Sequence, residues 1–174
     1  PYFTQRERAE SLLAAQSLKD IPVMPVRQVL DHKSQFLNPK ADKARGMLRM
    51  PFASSACVVV GKKLRLPKGS IAIEETAIYK LHLSPTRMLA ATPSAIRRIC
   101  ATVEARALAL PNLCEAVVVL QGLEEGLLYA GERDMIWRCL GVPIFEQWLG
   151  LDGELLASEC GVHQGMHFRG NRAE

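Results

Sequence analysis

The chain has 174 residues, of which 48% are hydrophobic and 23% charged, with a net charge of +4 and a pI near 8.9. That balance excludes a disordered or low-complexity chain, and the length suffices to bury a core without disulfides or metals. The small cationic surplus does not by itself call for nucleic acid, and no apolar run is long enough to span a bilayer.

Residues 1–50 are polar and basic, and they read as an N-terminal helical arm ahead of a core over residues 51–174. Thr4 and Glu7 have capping-box spacing, and Ala9, Leu12, Leu13 and Gln16 then share one helical face. Pro22 and Pro25 break the chain, and Val26, Val29 and Leu30 fit a second short helix with Pro25 at its first position. Residues 38–51 read as a loop carrying Lys40, Lys43, Arg45 and Arg49. Together with Lys62, Lys63, Arg65 and Lys68 these cations form a basic cluster. With no aromatic among them but Phe52, the cluster reads as a solvated face and not as a nucleic-acid surface.

From residue 52 the composition changes. Ser55 to Gly61 is a β-branched apolar run ending at glycine and predicts a strand. Lys62 to Gly69 alternates charged and apolar residues and then turns. Ile71, Ile73, Thr76, Ile78 and Tyr79 favour a second strand over Ser70 to Leu81, while Glu74-Glu75-Thr76-Ala77 leaves helix open. Met88 to Ala91 predicts a short strand, followed by Thr92 as N-cap and Pro93 at the first helical position. Ile96, Ile99, Cys100, Val103 and Ala107 line one face of that helix, opposite Arg97, Arg98 and Glu104. Ala116 to Leu120 is a near-continuous valine run, the pattern of a strand buried on both faces. The next helix is expected from Glu125 to Leu140, closed by Gly141, and Pro143 to Trp148 reads as another strand. This alternation predicts an α/β, Rossmann-like three-layer arrangement with a mostly parallel sheet and crossover helices.

Cysteines stand at 57, 100, 114, 139 and 160, odd in number and widely spaced, several within apolar stretches. That usage, with no visible signal peptide, predicts reduced thiols in a cytoplasmic protein. Cys160, His163 and His167 have spacing that suits zinc, with a fourth ligand to come from Cys57, Cys114 or Cys139. On the other reading Cys160 is a buried thiol and the two histidines lie on a surface turn. Glu124, Glu125, Asp152 and Glu154 fall at strand ends, where open α/β sheets hold ligands, although solvated loop acids have the same pattern. Trp137 and Trp148 suit either a stacking wall or a packed surface. No Gly-x-Ser-x-Gly elbow is present, and neither His32 nor His82 has a catalytic context.

Over Leu89 to Phe168 the chain resembles the phenylacetate–CoA ligase branch of the adenylate-forming enzymes. The resemblance is carried in order by Thr92-Pro93-Ser94-Ala95-Ile96, Val117 to Gly122 with Glu124, and Gly141 to Glu146. It continues through Leu149-Gly150-Leu151-Asp152-Gly153-Glu154 and Ala157-Ser158-Glu159-Cys160, with His167 after six further residues. It implies ATP or AMP at Gly122, Glu124, Gly150, Asp152 and Glu154, a small aromatic or acyl acid as substrate, and in some members zinc on the Cys160 and following His positions.

The departures count as much. Such enzymes hold triphosphate in a Ser/Thr/Gly-rich loop whose small residues let backbone N–H groups approach the phosphates. Here the nearest segment is Ser54-Ser55-Ala56-Cys57, with no glycine before Gly61. The family's Thr and Glu positions near the second nucleotide strand are Asp152 and Gly153, with Glu154 one place on. The resemblance also places a ribose-binding aspartate and a lysine-bearing domain after Glu174. The expectation is therefore a shortened, non-catalytic relative that binds an acid or nucleotide or acts as a subunit, with no catalytic residue assigned. A split ligase completed by another chain and a protein-interaction module are the alternatives. An open sheet has unpaired edges that seek partners. A homodimer is accordingly expected by light scattering, and the molar mass of one chain, 19.2 kDa, would exclude it.

Overall fold

The computed structural model describes residues 26–31, 48–49, 51, 57–61, 64, 66, 68–85, 87–129, 131–151, 153–162 and 165–168. The chain divides into two compact units, Pro1–Pro39 and Lys40–Glu174. In the first, helix α1 spans Val26–Asp31, as the sequence predicts; the expected helix over Thr4 to Gln16 lies outside the described residues. The second unit starts at Lys40, ahead of the expected core at residue 51, and it includes Leu48, which is 3% exposed in a hydrophobic cluster.

Among the described residues of the second unit, seven strands form one sheet in the order β2-β1-β3-β4-β5-β6-β7. They are β1 (Val58–Val60), β2 (Ile71–Ile73), β3 (Met88–Ala91), β4 (Ala116–Gly122), β5 (Ile144–Leu149), β6 (Leu155–Glu159) and β7 (Met166–Phe168). The first five are mutually parallel, and β6 and β7 are antiparallel additions. The α/β class with a mostly parallel sheet is thus what the sequence predicts. The valine run forms the middle strand. Val117 and Val119 join one core cluster and Val118 and Leu120 the other, all fully buried.

Helix α2 (Pro93–Glu104) begins as predicted: the Thr92 Oγ1 accepts from the Ala95 N–H at 3.3 Å, and Pro93 occupies the first turn, where a missing N–H costs nothing. Its Ile96, Ile99 and Cys100 pack on the sheet beside Ile136 of helix α3 (Glu132–Leu140). Ile78 and Leu81, from a 3₁₀ helix over Glu75–Leu83, complete this layer. On the opposite face Leu64 and Leu66, in the β1–β2 connection, pack with Leu48 against Val59, Val118 and Phe145. The connection that moves toward β2 therefore crosses one face, while those moving toward β5 cross the other. This is what a single hand of crossover requires when the direction along the sheet reverses.

Two predicted elements are corrected. The expected second strand stops at Ile73, and Glu75 onward is 3₁₀ helix, so the apolar residues from Thr76 do not alternate across a sheet. Helix α3 starts at Glu132 and not near Glu125. Gly122 and Gly126 exchange backbone hydrogen bonds of 3.3 and 2.9 Å, which fold the chain back before a helix can begin. The helix then ends as expected at Gly141, where φ is +69° and the N–H reaches the Trp137 carbonyl at 2.8 Å.

None of the five cysteines is in a disulfide. Cys57 and Cys100 are buried as expected of apolar runs, but Cys114 is exposed and accepts from Arg87 Nε at 3.1 Å. Burial, then a neighbouring Cys139 thiol, pushes the Cys100 pKa up to about 12, and burial also raises that of Cys57. No described helix is long and apolar enough to cross a membrane.

Ile99→Ala is expected to cost about 3 kcal/mol by urea unfolding, because it removes a side chain the two layers share. Thr92→Ala is expected to cost about 1 kcal/mol through the lost cap. Equal losses for the two would show that the helix layer is not held by this core.

Candidate functional site

Open parallel sheets bind ligands at the carboxyl ends of strands, above all where successive connections leave in opposite directions. Here that switch lies between β1 and β3. Gly61 ends β1, Thr92 ends β3, and both face Glu75. A Cβ built on Gly61 would lie 3.6 Å from the Glu75 Oε2 and 3.8 Å from the Thr92 Oγ1. The Thr92 hydroxyl is engaged with Ser94 Oγ at 3.0 Å, and Glu75 accepts from Arg98 Nη1 at 3.1 Å. The sequence reading assigned nothing to Gly61, Glu75 or Arg98. Their meeting depends on strand order, which no local pattern in the chain encodes.

The residues expected to hold nucleotide lie along the same edge. Gly122 ends β4 and is followed by the turn bearing Glu124, while Gly150 and Glu154 belong to the turn between β5 and β6. Gly122 pairs with Leu149, so the structure brings the two segments side by side; Asp152 lies outside the described residues. Yet the seam between them is closed. A Cβ on Gly122 would meet the Glu125 Oε2 at 2.5 Å and the Leu149 carbonyl oxygen at 2.8 Å. The turn is also shut, by the Gly150 N–H to Glu154 carbonyl bond of 2.8 Å. Neither Glu124 nor Glu154 is free of partners within the protein.

Charges across the helix layer are paired internally. Arg97 on α2 donates to Glu132 at 2.6 Å and 3.0 Å, lies 5.5 Å over the Tyr129 ring, and reaches the Leu127 carbonyl at 3.4 Å. Glu132 also accepts from the Tyr129 N–H, so this pair fixes the loop ahead of α3. The Arg97 hydrogen bonds hold the Glu132 carboxyl below the ordinary glutamate range. Arg133 spans Glu146 on β5, at 2.9 Å, and Glu159 on β6, at 2.8 and 3.0 Å. Burial works against the Arg133 charge, but the bonds to Glu159 and Glu146 outweigh it and the net shift is upward. Gln121, 2% exposed, donates to Glu146 and accepts from the Leu128 N–H.

The residues expected to bind metal are placed on the other side of β5 and β6. Cys160 and His167 line one cleft of about 200 Å³ with Arg49, Pro51, Ser158, Glu159 and Gly161. His163 lies outside the described residues. A closed zinc site takes four ligands. Among the described residues no three His, Cys, Asp or Glu converge on a metal position. Of the expected sources of a fourth ligand, Cys57 sits against Ser70, Cys114 against Arg87 and Cys139 against Cys100. The two tryptophans form no shared wall. Trp137 is 58% exposed on α3, and Trp148 meets Phe168 edge-on, with ring centroids 6.0 Å apart.

This architecture is an open α/β domain with a mostly parallel sheet and its candidate sites at strand ends. Among solved structures the chain is similar in fold to an open conformation of 2-hydroxyisobutyryl-CoA ligase in complex with 2-HIB-AMP and CoA. The TM-score is 0.51 and the identity 14%, over 95% of this chain and 44% of that one. The likeness is one of fold, and the chain spans under half the length of that ligase. No family model matches the chain, and its sequence matches no curated protein.

The Arg97–Glu132 pair gives a pH-dependent outcome. Because the Glu132 carboxyl is held down in the folded state, its stabilising contribution is fully present above the ordinary glutamate range, near 4.3. It is lost as pH falls through the depressed value. Arg97→Met should therefore lower the urea midpoint most at pH 7, with a gap from the parent chain that narrows toward pH 3. A gap of the same size at both pH values would exclude this pair as its source.

Proposed function

We propose that the chain is a ligase-like domain of the adenylate-forming type, on the phenylacetate–CoA ligase side of that group, which binds a small acyl or aryl acid and does not itself activate it with ATP. The fold likeness to an acid–CoA ligase supports the class of ligand. The observation that carries the non-catalytic part is Glu75. At the switch between β1 and β3, where an α/β sheet would seat phosphate against Gly61 and the start of α2, a carboxylate stands beside both. That carboxylate engages Arg98, so the cation at the start of this helix is committed within the protein and not offered to a triphosphate. The Ser54-Ser55-Ala56-Cys57 segment also lacks the glycines that let a backbone wrap phosphates. Without that clamp the charge developing in acyl-adenylate formation has nothing to stabilise it.

The expected result is a heat of binding for benzoate or a short acyl acid by titration calorimetry. No pyrophosphate should be released when the full chain is given ATP, magnesium and the same acid. Pyrophosphate release above background would overturn the non-catalytic reading, and absence of heat with every acid would overturn the binding reading.

A further inference from the structure

The cleft lined by Arg49, Ser158, Cys160 and His167 has a composition that its packing does not explain. It opens on the sheet face away from α2 and α3, since Ser158 pairs with Gln147, whose neighbours Phe145 and Leu149 belong to the opposite core cluster. Gln147, 2% exposed, accepts from the Arg49 N–H at 3.4 Å and donates to the Arg49 carbonyl. These two bonds hold the Arg49 backbone at the rim.

Three polar side chains line this one cleft. The Arg49 side chain forms no ion pair among the described residues, and the residue is exposed. Ser158 is only 3% exposed and lines the cleft, so a molecule seated there would meet its hydroxyl. His167, opposite Ser158 on β7, adds an imidazole. Among the described lining residues Glu159 is the one acid; it is paired with Arg133, and its side chain is 7% exposed. The described lining is therefore cationic in sum. Its volume of about 200 Å³ exceeds the roughly 150 Å³ that holds a benzene ring, and Pro51 and the Cys160 thiol give it weakly polar walls.

We propose that this cleft, and not the nucleotide edge of the sheet, is where the small carboxylic acid binds. Its carboxylate meets Arg49, the Ser158 hydroxyl donates to it, and a single ring or short chain lies against Pro51 and Cys160. Charge-assisted bonds from a guanidinium to a carboxylate supply the orientation. The assignment rests on the functional reading above for its class of ligand alone.

Cys160 lines the cleft and Cys114 is exposed elsewhere, so alkylation reports occupancy with an internal control. The full chain is treated with iodoacetamide across a benzoate series in chelator, and in parallel with zinc in place of chelator, and each cysteine is followed by peptide mass. Benzoate should slow Cys160 several-fold with saturation, with His167 ring-proton signals moving at the same midpoint; benzyl alcohol should not slow Cys160; and Cys114 should be unchanged by either. Arg49→Gln keeps the backbone bonds to Gln147 and should raise that midpoint at least about tenfold, and Ser158→Ala should raise it as well.

Equal protection by benzyl alcohol, protection by zinc without any by benzoate, or a midpoint unmoved in Arg49→Gln overturns the proposal. Heat from benzoate with Cys160 unprotected overturns it while leaving the binding function standing. No heat and no protection remove both.

Discussion

Strand β4 has no solvent side, and the rest of the molecule follows from covering it twice. Val117 and Val119 need the layer made by α2, α3 and the 3₁₀ helix, while Val118 and Leu120 need Phe145, Met88 and the chain carrying Leu48, Leu64 and Leu66. Burying apolar side chains contributes about 1.5–3 kcal/mol each, so a strand of this composition is stable only between two layers. Parallel neighbours must be reached by crossovers, and the crossovers become those layers. The sites at the strand ends are by-products of that requirement, because each crossover starts where a parallel strand stops.

At the carboxyl edge the acids and cations have mostly been spent on one another. Glu75 with Arg98, Glu132 with Arg97, and Glu146 and Glu159 with Arg133 tie helices to strands and loops. Charges satisfied in this way hold the layers together but offer little to an incoming phosphate. The Arg49 cleft is the reverse case, lined by an exposed cation that forms no ion pair among the described residues and by the Ser158 hydroxyl.

The core was legible where one physical signal acted alone. The Val117–Leu120 run, the Thr92-Pro93 helix start and Gly141 as a stop each state their structure locally, and each is found as stated. The start of α3 was not, because Leu128 keeps helical spacing with Met135, Ile136 and Cys139 while the Gly122–Gly126 turn, a contact between two glycines, decides the matter. The antiparallel strands β6 and β7 are short, and their pairing with β5 and with each other is not stated by any local pattern. The register that sets His167 against Ser158 is tertiary information. The same holds for Glu75 beside Gly61: the sequence shows two residues fourteen apart, and the strand order 2-1-3 makes them neighbours.

The Arg133 guanidinium touches three secondary-structure elements at once, being itself in the first turn of α3 and bound to Glu146 of β5 and Glu159 of β6. The antiparallel ribbon consequently does not open as an independent flap. Separating β6 from β5 would strand a nearly buried carboxylate and release the helix terminus along with it, so the two form one cooperative unit in exchange with solvent. The hairpin that walls the Arg49 cleft inherits the stiffness of the helix layer on the far side of the sheet, and a ligand seated in the cleft would be felt as slower amide exchange in α3, with no contact between them.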